Sequence, residues 1–278
     1  MEWCRFRYDG QESDREKVEG QMNFIFDLDG TICFKGQPIS TRILDCLLEL
    51  EQAGHTIGFA SARPCRDMLP VLDERFRNHL LIGANGAMTY YQGSLQHHAP
   101  IPHRLANEII SILDDHHAQF LIDDKWDYAH NCDIAHPFMQ NIDMQQSASR
   151  VDFDQLNHVL KILILSSERF DDLAARMKQL DVTMHYHSAE GILDLTSKGV
   201  NKMAALREFG LSDEPFICFG NDMNDLPLFE QAHYSVLIGG YEPLLPWAKE
   251  RICVDQMVEQ SIIAKLRELG VAYKPAHT

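Results

Sequence analysis

The sequence predicts an α/β protein, a Rossmann-like parallel-sheet core interrupted by an inserted α+β domain. Three observations carry this. Short apolar runs of strand length alternate with amphipathic stretches between residues 22 and 83; the rhythm breaks from 84 to 190, where a hairpin signal and mixed elements appear; and it resumes from 191. The expected division is an N-terminal extension over 1–21, a core made of 22–83 with 191–278, and the insertion 84–190.

Taken in order, residues 1–21 lack periodicity. Residues 22–26 are a continuous apolar run, the pattern of a strand buried on both faces. Apolar residues then recur at three and four from Ile43 to Leu50; Ser40 offers the N-cap and Gly54 the stop, so a helix is expected over 40–53. A second strand covers 56–60 and ends at Ser61, Pro64 opens a helix running to Phe76, and 80–82 form a third strand. Such sheets bind ligands beyond the carboxyl ends of their strands, where Asp27 and Ser61 both fall.

After Gly83 a hairpin is expected (88–91 and 95–99 about a turn at 92–94), then a helix from His103 and a strand near Phe120. A strand at 161–166, a helix at 170–180 and an alternating strand at 182–187 complete the insertion. The parallel pattern is expected to resume with a strand at 192–195, a helix at 201–209, a strand at 216–219, a helix at 226–232 and a strand at 235–238. Short elements at 243–250 and 252–254 precede a closing helix over 256–269.

The composition bounds the function. A chain of 278 residues with 45% hydrophobic residues suits two domains with a sizeable core. Its 41 acidic against 25 basic residues leave a net charge of −16, which repels nucleic acids and anionic membrane surfaces. A small anionic ligand therefore requires positive charge concentrated locally. Seven cysteines, without CxxC spacing and mostly inside apolar segments, read as buried thiols. No apolar run reaches the ~20 residues that span a bilayer. A cytoplasmic location with no membrane partner is expected; the oligomeric state is left open.

Asp27 and Asp29 lie two residues apart where a buried strand runs into Gly30-Thr31. One carboxylate can attack phosphorus while the other, in a different protonation state, handles the leaving-group proton. A carboxylate about 4 Å from a phosphate dianion meets about 8 kcal/mol of repulsion at an effective dielectric of 20, so a divalent cation and an ammonium are needed. Mg²⁺ suits an oxygen-rich site of this kind. The stretch Gly220-Asn221-Asp222-Met223-Asn224-Asp225 follows an apolar strand and supplies further oxygens. Lys202 can neutralise charge and Ser61 can donate to a phosphate oxygen. A His130, Cys132, Asp133 and His136 cluster reads as a polar loop of the insertion in preference to a zinc site, and the pairs His97-His98 and His116-His117 as surface groups.

The run Phe24-Ile25-Phe26-Asp27-Leu28-Asp29-Gly30-Thr31, then Ala60-Ser61-Ala62-Arg63-Pro64, then Lys198-Gly199-Val200-Asn201-Lys202, then Gly220 to Asp225, resembles the haloacid dehalogenase-like hydrolases, and among them the Cof-type phosphatases with a large α/β cap. The resemblance spans about residues 22 to 270. It implies Asp27 as nucleophile and Mg²⁺ ligand, Asp29 as general acid and base that also offers its main-chain carbonyl to the metal, Ser61 as phosphate-binding hydroxyl and Lys202 as the motif lysine, with Lys198 a second choice. Arg63, Asn85, Gly86 and Asn224 join Ser61 and Lys202 in the implied substrate-binding set. The sequence departs from the family at Asn221, where an acidic metal ligand is usual, so Asn221, Asp222 and Asp225 all stand as candidate ligands.

The expected activity is Mg²⁺-dependent hydrolysis of a small phosphate ester, with a sugar phosphate foremost, through an aspartyl-phosphate on Asp27. The alternatives are a phosphotransferase or phosphomutase on the same scaffold, and a catalytically silent binding or regulatory protein.

Overall fold

The structure is a computed structural model and describes residues 20–133, 136–187, 191–211 and 213–273. Of the expected N-terminal extension, residues 1–19 lie outside this set. In chain order the elements are β1 (Asn23–Phe26), α1 (Thr41–Gln52), β2 (Thr56–Ala60), α2 (Cys65–Met68), β3 (Leu80–Gly83), β4 (Met88–Tyr91), β5 (Ser94–His98), α3 (His103–Asp115), β6 (Gln119–Asp123) and β7 (Tyr128–His130). There follow β8 (Lys161–Ser166), α4 (Phe170–Met177), β9 (Val182–His187), β10 (Ile192–Ser197), α5 (Lys202–Glu208), β11 (Phe216–Gly220), α6 (Leu226–Phe229), β12 (Tyr234–Ile238), β13 (Glu250–Ile252) and α7 (Val258–Ala272). The chain gathers into two compact units: one takes in residues to 60, 71–81 and those from 210, the other 61–70 and 82–209.

In the first unit the strands run β13-β12-β11-β1-β2, all parallel, with Phe26 opposite both Phe59 and Phe219. Their side chains are buried on both faces, which is why these segments read as unbroken apolar runs. The Phe26 ring lies 4.9 Å from Phe219 and 6.3 Å from Phe59, centroid to centroid. α1 begins at Ser40, whose hydroxyl accepts from the Ile43 amide, as its N-cap position implied. It packs closely on α7: a Cβ on Gly270 would sit 2.5 Å from Leu50 Cδ2.

The helix expected from Pro64 to Phe76 is shorter. α2 stops at Met68, because Pro70 has no N–H to continue the ladder. A separate 3₁₀ turn over Glu74–Phe76 follows, capped by the Asp73 carboxylate.

The second unit holds an antiparallel sheet in the order β7-β6-β8-β10-β9. Ile109 and Leu113 of α3 and Leu173 and Met177 of α4 join Phe120, Ile162, Ile164, Leu193 and Leu195 in the core on one face. Leu121, Leu163, Leu165 and Ile192 point the other way, packed with Phe138, Met139 and Ile142. The β4–β5 hairpin forms where expected, its turn made by Gln92 and Gly93 with φ of 52° and 71°.

Here the structure corrects one expectation. Residues 192–195 do not resume the parallel sheet; they lie in β10, antiparallel between β8 and β9. The stretch 191–209 accordingly clusters with the second unit. A short, mostly apolar stretch fits either sheet, and what separates them is the alternation of Leu193 and Leu195 with Asp194 and Thr196, which marks two unlike faces. β7 was hidden for a related reason, being only three residues long within a polar stretch.

Among the described residues no helix is long and apolar enough to cross a membrane. Cys33, Cys46, Cys65, Cys132 and Cys218 are buried free thiols. Cys253, just past β13, is half-buried.

Candidate active site

Two of the four motif stretches meet in the first unit. β1 and β11 are neighbouring parallel strands, and the Asp27 amide extends their ladder by donating to Phe219 O at 2.9 Å. Asp27 and the loop after Gly220 therefore leave the sheet at one edge. The Asp27 side chain is 4% exposed. Its Oδ2 accepts from Thr31 Oγ1 at 2.8 Å, and the same hydroxyl lies 3.2 Å from Asn221 Oδ1.

A tight turn makes this possible. The amides of Thr31, Ile32 and Cys33 all converge on Leu28 O, and Gly30 takes a φ of 80°. A Cβ on Gly30 would fall 2.2 Å from Asn221 Nδ2, so the absence of a side chain admits the Asn221 amide. Asp29, by contrast, is exposed, while Asp27 is buried.

The three candidate oxygens of the 220–225 loop separate by geometry. Asp225 is fully buried, and its Oδ2 accepts the amides of Asn221 at 2.8 Å and Asp222 at 3.2 Å. Asp222 Oδ1 accepts from the Met223 amide. The Asn221 side-chain oxygen reaches the turn after β1, where it accepts from the Thr31 hydroxyl. Asn224 is half-buried in the 3₁₀ turn Met223–Asp225.

The other two stretches lie in the second unit. Ser61 is the residue after β2 and is buried; its hydroxyl accepts from the Arg63 amide at 3.1 Å. Asn85 sits in a turn with φ of 57° and donates from Nδ2 to Asp194 Oδ2 at 3.1 Å. Gly86 lies against the start of α5: a Cβ there would be 2.3 Å from Asn201 O. Lys202 is completely buried as the first residue of α5, behind the N-cap Asn201, whose side chain accepts from the Ala204 amide. Lys198 is exposed and paired with Asp181. Arg63 donates from its guanidinium to Asp67 O.

Several residues with no assigned role prove central. Arg66, 2% exposed, bridges Asp67 at 3.1 Å and Asp123 at 2.5 Å, donates to Trp126 O, and lies over the Tyr128 ring. Lys161 pairs with Asp194 at 2.9 Å. The signal for both lysine and aspartate was present as ionisable residues inside apolar strands, which is rare without a partner. Of the remaining candidates, Cys132 packs under the second sheet, His130 is buried, and His116 is buried against Ile112 O where a surface group was expected.

Burial pushes the Asp67 carboxyl up to about 6 against the opposing pull of Arg66, with the Asp123 charge adding to the rise. Its folded form thus keeps a proton that an unfolded chain releases near pH 4. This group's contribution to stability is fully present below about pH 4, is lost as pH climbs to about 6, and is level above that. Denaturant unfolding is expected to show a decline of about 1–3 kcal/mol across this window that Asp67→Asn lacks. A wild-type protein that instead gained stability over the window relative to the variant would reject the assignment.

The sequence pattern described as haloacid dehalogenase-like hydrolase matches residues 24–247. The chain is 25% identical over 267 residues to the HMP-PP phosphatase of Yersinia pseudotuberculosis, covering 91% of this chain and 93% of that one. Among solved structures, a haloacid dehalogenase-like hydrolase from Bacteroides thetaiotaomicron superposes with a TM-score of 0.75 at 18% identity, covering 90% of this chain and 99% of that one. A subclass IIB sugar phosphatase, BT4131, superposes with a TM-score of 0.73 at 18% identity, over 90% of this chain and 100% of that one. At these identities the superpositions speak for the fold.

Proposed function

The chain belongs to the haloacid dehalogenase-like hydrolases and is a phosphatase, and from that premise we propose that it hydrolyses a small phosphorylated metabolite, a sugar phosphate foremost, through a phosphorylated Asp27. The observation that carries the reading is the Asp27, Thr31 and Asn221 contact chain at the ends of β1 and β11.

The oxygens there fit a magnesium ion: the Asp27 carboxylate and the Asn221 amide oxygen are both hard donors, joined through the Thr31 hydroxyl. Asp27, the Asp29 main-chain carbonyl and Asn221 are the proposed ligands. Asp225 shapes their loop from beneath, because its carboxylate already accepts two loop amides. When bound, the ion supplies the positive charge that offsets repulsion between carboxylate and phosphate.

The residues divide the work. An Asp27 carboxylate oxygen attacks phosphorus in line as the bond to the leaving oxygen breaks, and Asp29 gives that oxygen its proton. In the second step Asp29 takes a proton from the water that attacks the phosphorylated Asp27, and inorganic phosphate leaves. Ser61 and Lys202 hold the transferring oxygens, and Arg63, Asn85, Gly86 and Asn224 line the substrate side of the proposal. A cap formed by the inserted residues 84–190 would select the leaving group.

Asp29→Asn is expected to cut turnover of p-nitrophenyl phosphate and of a sugar phosphate panel by about 10²–10⁴-fold, the usual worth of a placed acid and base. Chelation of divalent cations should silence the wild-type protein, and added Mg²⁺ should restore it. Undiminished turnover in Asp29→Asn would sink the acid–base assignment. Appearance of the phosphoryl group on an added sugar acceptor, in place of free phosphate, would turn the reading toward a phosphotransferase.

A further inference from the structure

Beyond the end of β2, three consecutive carbonyls each have a separate donor. Ser61 O accepts from the Asn85 amide at 3.0 Å, Ala62 O from Lys161 Nζ at 2.9 Å, and Arg63 O from the Ala84 amide at 2.7 Å. The outer two donors are backbone. The middle one is an ammonium carried by β8, and Lys161 is 5% exposed.

The peptide unit that turns its Ala62 oxygen toward Lys161 also carries the Arg63 N–H, which donates to Ser61 Oγ at 3.1 Å. A trans peptide is planar with its C=O and N–H opposed, so fixing the oxygen fixes the direction of the N–H. With one lone pair of the Ser61 hydroxyl occupied from that side, the hydroxyl proton is turned toward other acceptors. Asp194 ties the arrangement together: its Oδ2 accepts from Lys161 Nζ at 2.9 Å and from Asn85 Nδ2 at 3.1 Å. One carboxylate oxygen thus joins the residues that hold two adjacent carbonyls.

Replacing a buried ion pair by apolar side chains of the same volume is often neutral or stabilising, so stability alone is a weak reason for this one. Lys161 heads the otherwise apolar β8, and Asp194, 1% exposed, interrupts the apolar β10. What the pair supplies that Met and Leu could not is direction at the Ala62 carbonyl.

We propose that Lys161, oriented by Asp194, is a positioning residue that locks the Ala62–Arg63 peptide and so aims the Ser61 hydroxyl proton at a phosphate oxygen of the substrate. The proposal rests on the reading of Ser61 as a phosphate-binding hydroxyl. Its range is wider than that loop, since it makes the antiparallel sheet of the second unit a support for phosphate binding.

The test compares Ser61→Ala, Lys161→Arg, the paired Lys161→Met with Asp194→Asn, and the pair combined with Ser61→Ala, by steady-state hydrolysis of p-nitrophenyl phosphate and competitive inhibition by inorganic phosphate. The pair removes both charges at once, leaving no buried carboxylate without its cation. With thermal unfolding near that of the parent, it should raise KM and the phosphate inhibition constant about 10- to 100-fold, the worth of one hydrogen bond to a charged group. Lys161→Arg should restore most of the loss, and the pair should add little once Ser61→Ala is present. If the pair does not fold, Asp194→Asn alone, which keeps the ammonium and both shapes, should shift the same constants by a smaller factor. Unchanged phosphate inhibition in these variants alongside a weakened Ser61→Ala, or losses that add in full to those of Ser61→Ala, overturns the proposal. Unchanged inhibition in Ser61→Ala itself overturns the underlying reading and the proposal with it.

Discussion

Asp27→Asn is expected to lower turnover at least about 10³-fold while leaving the protein folded. The substitution preserves shape, and the amide oxygen of asparagine can still accept the Thr31 hydroxyl that Asp27 Oδ2 accepts at 2.8 Å. What disappears is the negative charge and the nucleophilic oxygen. Because Asp27 is 4% exposed, removing its charge relieves a desolvation cost, and the variant should unfold no earlier than the wild-type protein. Steady-state assay with p-nitrophenyl phosphate gives the rate. Mass spectrometry of acid-quenched enzyme should find one phosphoryl group on the peptide bearing Asp27 in the parent and none in the variant. Wild-type turnover in the variant would eliminate Asp27 as nucleophile.

The second large effect is structural. Gly86→Ala should destabilise the protein by about 2–6 kcal/mol, the sum of about 1–3 for a side chain held at an unfavourable φ and about 1–3 for overpacking. The φ of Gly86 is 105°, and its added Cβ would meet Asn201 O at 2.3 Å and Asn201 C at 2.6 Å, both backbone atoms with no rotamer to yield. Gly199→Ala is the control: its φ is 79°, but nothing lies within 4 Å of the added carbon, so only the backbone strain remains. Denaturant unfolding of both proteins measures the difference. Equal losses would show that the approach of the Asn85–Gly86 turn to α5 is looser than described. The position matters because the clash falls on the residues that begin the helix carrying Lys202.

Much of this arrangement could be read along the chain. Strands buried on both faces announce themselves as apolar runs, and β1, β2, β8, β11 and β12 lie within about one residue of their expected places. The start of α1 was legible because its cap is a local bond between Ser40 and a residue three positions later. The candidate chemistry at Asp27 and Asp29 was visible for the same reason, as two carboxylates at the end of one strand.

What could not be read depended on partners distant in the chain. β10 looked like a strand of the parallel sheet until its antiparallel neighbours were known. Asn221, Asp222 and Asp225 were equivalent as a string of oxygens; folding sent the Asp225 carboxylate under its own loop and brought Asn221 to a hydroxyl 190 positions earlier. Lys161 and Asp194 were noticeable only as charges in apolar strands, with no hint of the Ala62 carbonyl they serve. Periodicity, caps and motif spacing act over a few residues and survive in a one-dimensional string, so the sequence by itself determined most of the elements and their order and marked the two candidate carboxylates. Strand pairing and the burial of each polar atom are settled only when distant segments exclude water together, so tertiary structure alone decided which sheet each strand joined and which oxygen faced which donor.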